Sequence, residues 1–197
     1  MTIKQEFMRS WRFVSRPAES FEAVTGAQSY WEIGRYYLVL NVVLAVLTPI
    51  TVFLGFPCDI VHAGTNAQMG AYLYSPFLEN ITGLSRYLWI GLITYAGNVL
   101  KFPILGLMFH GFAMVLKGSG SLVDSFKVSV YAAAPVLLLG WIPYFGLISG
   151  LWVGYLYVLG FWKLHETGLG PTIALVNFMI GVQIAWAFVF GWILSPV

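Results

Sequence analysis

The sequence predicts an all-α membrane protein, a five-helix transmembrane bundle preceded by an amphipathic helix at the membrane interface. Three features predict this fold class. Hydrophobic residues make up 59% of the 197 residues and charged residues only 9%, whereas a soluble domain uses about 25% charged residues. The apolar residues are grouped into long runs, as spanning helices require. The basic residues collect in the segments that join alternate runs, as they do in proteins inserted with a fixed orientation.

Residues 1–35 are polar with scattered aromatic side chains, and we expect them to form a cytoplasmic region that contacts the lipid interface. Apolar side chains recur at the spacing of one helical face, while basic side chains point elsewhere. The apolar set is Phe7, Trp11 and Val14, and the basic set is Arg9, Arg12 and Arg16. This pattern favours an amphipathic interfacial helix over a loosely ordered tail. Pro17 ends that helix because proline cannot donate a hydrogen bond to the previous turn, and a second short helix is predicted between Pro17 and Gly26.

Five apolar runs are predicted to cross the bilayer, since a hydrocarbon core of roughly 30 Å needs about 20 helical residues. They cover residues 36–56, 86–116, 128–142, 145–162 and 172–194. Pro49 is expected to kink the first helix, and the second run is long enough to tilt or to emerge into water. The third and fourth runs are short, so they are interpreted as a helical hairpin, with a re-entrant pair as the alternative. The breaker GLGP at 168–171 opens the fifth run.

The distribution of basic residues predicts the orientation. With a cytoplasmic N-terminus, the cytoplasmic segments hold eight of the ten basic residues, namely Lys4, Arg9, Arg12, Arg16, Arg35, Lys117, Lys127 and Lys163. Arg86 lies at the opposite face, and Lys101 lies within a span. Because cationic side chains are retained on the cytoplasmic side during insertion, this asymmetry predicts an N-terminus inside and a C-terminus outside. The first span is expected to target the protein, since no cleavable signal peptide of the usual layout precedes it.

The C-terminal half combines several small-residue patterns. They are a Gly/Ser-rich turn in KGSGSLVDSFK at 117–127, an aromatic-Ala-Pro step at 131–135, a Pro/Gly hairpin at 143–150 and a Gly-rich span that ends in a short polar loop. In the N-terminal region, RPAESFEAV followed by YWEIGRYYLVL places a Pro and a Phe ahead of the first span. In these features the chain resembles the Yip domain family of five-span membrane proteins, first named as partners of Ypt/Rab GTPases, and specifically its prokaryotic branch.

The resemblance implies the five-span architecture and a bacterial or archaeal plasma membrane, and the prokaryotic branch has no settled biochemical activity. Eukaryotic members carry an acidic-Leu-Tyr-Gly-Pro signature in the cytoplasmic region before the first span. Residues 1–35 contain no such motif. Binding of Rab-type GTPases is therefore not supported for this chain.

Lys101 is the most informative polar residue, because it falls near the middle of the run 86–116. A charged lysine at bilayer depth costs on the order of 3 kcal/mol, so some partner must offset this cost. The candidates are Asn98 and Tyr95 on the same helix, Asn41 on the first span, and Asn177 and Gln183 on the fifth. With amide neighbours, such a lysine indicates an anion or proton site in a hydrated cavity. The alternative is a lysine whose long side chain snorkels to an interface.

Gly146, Gly150 and Gly154 recur every four residues and so lie on one helix face, where they let another backbone approach closely. Structural packing is the favoured interpretation, and the neighbour is either the same chain or a second subunit. Pro135 and Pro143 also suit the interrupted helices found at transporter binding sites.

Cys58, Asp59 and His62 lie within five residues of the loop after the first span and offer metal-ligand types. Their spacing matches no established motif, so an unrelated loop composition is favoured. Other polar side chains near inner helix ends are interpreted as interfacial groups: His110, His165 and Glu166. The sequence contains no nucleophile elbow, zincin, P-loop or dinucleotide motif, so neither catalysis nor a cofactor is expected.

Two function classes follow. The first is a membrane scaffold or interaction protein whose partners are the lipid bilayer and other membrane proteins or further copies of the chain. The second is a small ion or solute channel or carrier with Lys101 as its polar centre. The net charge of +2 is too small and too scattered for a nucleic-acid surface.

Overall fold

The protein is described here by a computed structural model that covers residues 3–26, 28–54, 78, 80–142 and 145–193, without the side chains of residues 3, 146–147 and 183–193. Regular structure in these ranges is helical, which confirms the predicted all-α class. The helices are α1 (Ile3–Ser15), α2 (Pro17–Ala23), α3 (Tyr30–Phe53), α4 (Leu84–Val115), α5 (Leu122–Ala132), α6 (Ala134–Leu139), α7 (Phe145–His165) and α8 (Leu169–Ile193).

Three stretches of the described chain are long and apolar enough to cross a bilayer. They are Tyr30–Phe53 with 24 residues, Leu84–Val115 with 32 residues, and Leu122–Leu139, which joins α5 and α6, with 18 residues. At 1.5 Å per residue these stretches measure about 36, 48 and 27 Å, against a hydrocarbon core of roughly 30 Å. The chain is therefore a membrane protein, as its composition predicts.

Two helices begin six residues before the apolar runs from which they were predicted. At α3, the Ser29 hydroxyl accepts a hydrogen bond from the Glu32 amide at 3.2 Å, and the Glu32 carboxylate accepts one from the Ser29 amide at 3.0 Å. Ser121 and Asp124 form the same reciprocal pair at the start of α5. Such capping boxes satisfy amide groups that have no partner within the helix, so a polar first turn is added to each apolar run.

The third predicted span is interrupted between α5 and α6 at Ala133. Pro135 lies in the first turn of α6 and is buried. Its ring nitrogen has no hydrogen to donate to the carbonyl of Tyr131, and this missing hydrogen bond favours a break in the helix here. The span remains compact because the residues on both sides of the break are buried, including Ala132 and Ala134.

The core is built around α5, whose residues from Ser125 to Ala132 are all buried. This helix packs against α3, α4 and α7, and the N-terminal helix α1 also contacts it. Large aromatic side chains fill the spaces between these helices: Phe13, Phe21, Tyr36, Phe109, Tyr131 and Phe161. The α5 helix therefore holds the N-terminal region and the membrane helices in one unit.

Helix α1 docks on the bundle through one face and leaves another face open. Phe13 is buried and stacks on the Tyr131 ring, with the ring centroids 4.6 Å apart. Val14, predicted on the lipid side, is partly buried against the core. Phe7 and Trp11, in contrast, are exposed. The sequence pattern located the exposed apolar face, but it did not indicate that α1 also has a buried face.

Two cationic side chains tie the segment around α2 to the bundle. The ammonium group of Lys127 is buried, donates to the carbonyl of Gly26 at 3.0 Å and pairs with the Asp124 carboxylate at 2.8 Å. Lys163 near the end of α7 pairs with Glu22 on α2. The ends of α5 and α7 therefore lie beside the N-terminal region.

Candidate functional site

Helices α3 and α4 are joined by polar side chains between their apolar faces. Asn41 is fully buried, and its amide nitrogen donates to the carbonyl of Tyr95 at 3.0 Å. Its amide oxygen accepts a hydrogen bond from the Asn98 amide at 2.9 Å. The Tyr37 hydroxyl donates to the carbonyl of Asn98 at 3.1 Å. Two candidate partners of Lys101, Asn41 and Asn98, thus bind each other through their side chains, and Tyr95 takes part through its main-chain carbonyl.

The same pair of helices approaches closely at Gly91. Pro49 has no N–H, so the carbonyl of Ala45 lacks its usual helical donor. A Cβ atom on Gly91 would lie 2.8 Å from that carbonyl oxygen and 3.3 Å from the Pro49 ring. Only glycine fits this contact without displacing backbone atoms. Pro49 was predicted to kink α3, whereas nothing in the sequence indicated the role of Gly91.

Lys101 is partly buried on α4, and no side chain of the described ranges forms a hydrogen bond or ion pair with its ammonium group. Asn177 lies on the exposed side of α8, and the side chain of Gln183 is outside the described residues. Of the five candidate partners, Asn41 and Asn98 engage their side chains in the α3–α4 contact, and Tyr95 engages its main-chain carbonyl.

Lys101 lies near the middle of α4 (Leu84–Val115). The next residue, Phe102, lies against Gly34 in the second turn of α3 and contacts the Tyr37 and Phe126 rings. The helix position next to Lys101 therefore packs against α3 and α5.

Of the three glycines predicted on one face of α7, Gly154 packs against another helix of the same chain. A Cβ atom on Gly154 would meet Ile180 of α8 at 3.0 Å and Val176 at 3.8 Å, so this residue allows α7 and α8 to pack closely. Gly150 lies one turn earlier on the same helix, and the side-chain surroundings of Gly146 are outside the described residues. Among the prolines, Pro135 begins α6 as described above, and Pro143 lies outside the described residues.

A second polar cluster lies at the predicted cytoplasmic ends of α4, α5 and α7. The Ser125 hydroxyl oxygen lies 3.2 Å from Nδ1 of His110 and 3.1 Å from Nε2 of His165. Ser125 and His165 are fully buried. Burial lowers the pKa of His165, which follows the predicted span 145–162, and the nearby Asp124 carboxylate opposes this shift. The sequence indicated polar groups here but not their contact.

The glycine-rich turn 117–121 closes over this cluster. The Ser119 amide donates to the carbonyl of His165 at 2.8 Å, and its hydroxyl donates to the Glu166 carboxylate at 2.7 Å. A Cβ atom on Gly120 would lie 2.4 Å from both Nδ1 of His165 and the carbonyl oxygen of Leu164. The turn can pack on the end of α7 only because glycine occupies this position.

The candidate metal ligands Cys58, Asp59 and His62 lie outside the described residues. Within the described ranges, no group of three or more His, Cys, Asp or Glu side chains is placed to hold a metal ion.

Comparison with known proteins identifies the family. The Yip1 domain family matches the chain over residues 11–193. No curated protein and no solved structure matches the chain. The match includes the Gly/Ser-rich turn, the interrupted span and the glycine-containing helix α7. The chain therefore belongs to the Yip1 domain family.

Proposed function

We propose that this protein is a membrane scaffold or interaction protein without catalytic activity. The observation that carries this proposal is the bonding of Asn41, whose amide donates to Tyr95 and accepts from Asn98. A transport pathway needs polar groups that a solute can reach. Here the amide groups between α3 and α4 bind each other and hold the two helices together, which is the role expected of interhelical hydrogen bonds in lipid.

The proposed arrangement has five spans, a cytoplasmic N-terminus and an external C-terminus, in the plasma membrane of a prokaryote. Helices α7 and α8 contain 21 and 25 residues, so each measures about 32 Å or more and can serve as a fourth or fifth span. The orientation is supported by the eight of ten basic residues that the sequence assigns to the cytoplasmic side, two of which, Arg35 and Lys127, lie in the second turns of α3 and α5.

The outward face of α4 is the proposed contact for other membrane proteins or for further copies of the chain. Its exposed apolar side chains follow one side of the helix and are Leu88, Leu92, Leu100, Ile104 and Leu107. Helix α4 has few buried residues for its length. Since α4 gives so little of its surface to the core, a neighbouring helix can pack along it without disturbing the fold.

A photo-crosslinking amino acid at Leu92 is expected to produce a discrete protein adduct in the native membrane, because this side chain faces outward. The matched control is Ile90, which is only 8% exposed on the same helix, and a crosslinker there is expected to react within the chain. Adducts are detected by gel electrophoresis and identified by mass spectrometry. Recovery of lipid adducts alone from Leu92, and likewise from Ile104, would contradict a scaffold role.

The alternative of a small channel or carrier is supported by one observation, the lack of a described partner for Lys101. From the scaffold role we expect wild-type proteoliposomes to pass chloride and protons no faster than protein-free vesicles. The test measures both fluxes with fluorescent dyes for the wild type, Lys101→Met and, as a control, Lys117→Met. Flux that is present in the wild type, lost in Lys101→Met and retained in Lys117→Met would overturn the scaffold role in favour of a carrier.

A further inference from the structure

The outward face of α1 forms a shallow groove that none of the described helices covers. Its lining residues are Lys4, Phe7, Met8, Trp11 and Arg12. The three apolar side chains in the middle are between 43% and 56% exposed. Lys4 and Arg12 stand at the two ends, eight residues and about 12 Å apart along the helix. The groove is therefore apolar in the middle and cationic at both ends.

The orientation of this groove is fixed by the opposite face of α1. Glu6, Ser10 and Phe13 are buried against the bundle. The Arg9 guanidinium lies 4.6 Å from the centre of the Tyr131 ring, a distance at which a cation is attracted to the ring face. Rotation of α1 that buried its apolar groove would break these contacts. The groove therefore stays on the outside of the molecule.

The charges of the groove indicate what covers it. Its five lining residues include two cations and no carboxylate, and the nearest acidic residue of α1, Glu6, is buried on the other side. An apolar surface left in water costs about 25 cal/mol per Å², so an occupant needs an apolar part. The two cations of the groove favour an occupant that also carries a negative charge. Tryptophan and basic residues together are typical of helices in the headgroup layer of anionic membranes.

We propose that this groove binds anionic phospholipids of the cytoplasmic leaflet. The acyl chains and glycerol pack on Phe7, Met8 and Trp11, and the phosphate pairs with Lys4 or Arg12. An acidic peptide would pair with the cations but would leave Phe7, Met8 and Trp11 without an apolar partner. Lipid binding at this face does not depend on a scaffold role.

The test uses the full-length protein in phosphatidylcholine vesicles that contain a fixed mole fraction of brominated phosphatidylglycerol or brominated phosphatidylcholine. Bromine quenches tryptophan fluorescence on contact, and the difference between the wild type and Trp11→Phe gives the signal of Trp11. Because basic residues near a membrane surface attract anionic lipid, we expect brominated phosphatidylglycerol to quench Trp11 about twofold more than brominated phosphatidylcholine does, or more.

Variants with neutral side chains test whether Lys4 and Arg12 cause the preference for anionic lipid. Lys4→Gln with Arg12→Gln is expected to make quenching by the two lipids equal, whereas Lys117→Gln, which removes an exposed cation outside the groove, should leave the preference intact. Lys4→Arg with Arg12→Lys should also retain it. Circular dichroism and gel filtration check that each variant is folded. Equal quenching in the wild type would overturn the proposal, as would a Trp11 that neither lipid quenches, because protein or water would then cover the groove.

Discussion

Gly120→Ala is expected to lower the free energy of unfolding by about 3 kcal/mol, the upper end of the range for overpacking a tight contact. The added methyl group would lie 2.4 Å from the carbonyl oxygen of Leu164 and from the ring of His165. The carbonyl belongs to the backbone of α7 and cannot rotate away. Relief requires the turn to move, which breaks the hydrogen bond from the Ser119 amide to His165. Unfolding in mixed micelles, followed by circular dichroism, measures the change.

The matched control for Gly120 is Gly111→Ala. Gly111 lies inside α4, and a Cβ atom there would meet nothing within 4 Å. Alanine is favoured over glycine within a helix by about 1 kcal/mol, so this variant should unfold at the same or a higher denaturant concentration. If both variants were destabilised equally, the close approach of the turn to α7 would not be the cause.

Asn41→Leu is expected to destabilise the protein by about 2 kcal/mol. The change removes the hydrogen bond to the Tyr95 carbonyl and leaves the Asn98 amide without its acceptor between two membrane helices. Interhelical hydrogen bonds in membranes are each worth about 0.6 kcal/mol on average, and an unsatisfied buried donor costs about 1–3 kcal/mol. The same unfolding measurement in mixed micelles tests the value.

A double-mutant cycle measures the interaction between Asn41 and Asn98 separately from the effect of each substitution. Asn41→Leu combined with Asn98→Leu should cost less than the two single changes added together, because the second change removes the orphaned donor. Asn177→Leu is the control, since that amide lies exposed on α8, and its effect should be within about 0.5 kcal/mol. Additive effects at Asn41 and Asn98 would show that the two side chains do not stabilise each other.

The contacts of the candidate site were predictable only in part. Asn41, Asn98 and Tyr95 were predicted together as partners that offset the cost of a charged Lys101 in lipid. In the structure, Asn41 and Asn98 bind each other across α3 and α4, and Tyr95 accepts from Asn41 through its main-chain carbonyl. Which polar groups meet depends on how each helix is rotated. A helix that is apolar on all sides has no preferred face, so its sequence does not specify that rotation.

The starts of helices α3 and α5, in contrast, are specified by short patterns in the sequence. The Ser-x-x-Glu and Ser-x-x-Asp patterns that begin α3 and α5 are written at 29–32 and 121–124, and capping depends only on residues within one turn. These patterns place the helix starts six residues earlier than apolar length alone predicts.

By itself, the sequence determined that this chain is helical, that it belongs in a membrane and that its N-terminal helix has an open apolar face. These properties depend on composition and on spacing within a single helix. Tertiary structure alone decided that α1 is anchored by Phe13 on Tyr131, that Ser125 joins His110 to His165, and that Gly91 and Gly120 occupy close contacts. Each of these contacts joins segments far apart in the chain, and packing brings them together through surfaces that no single segment encodes.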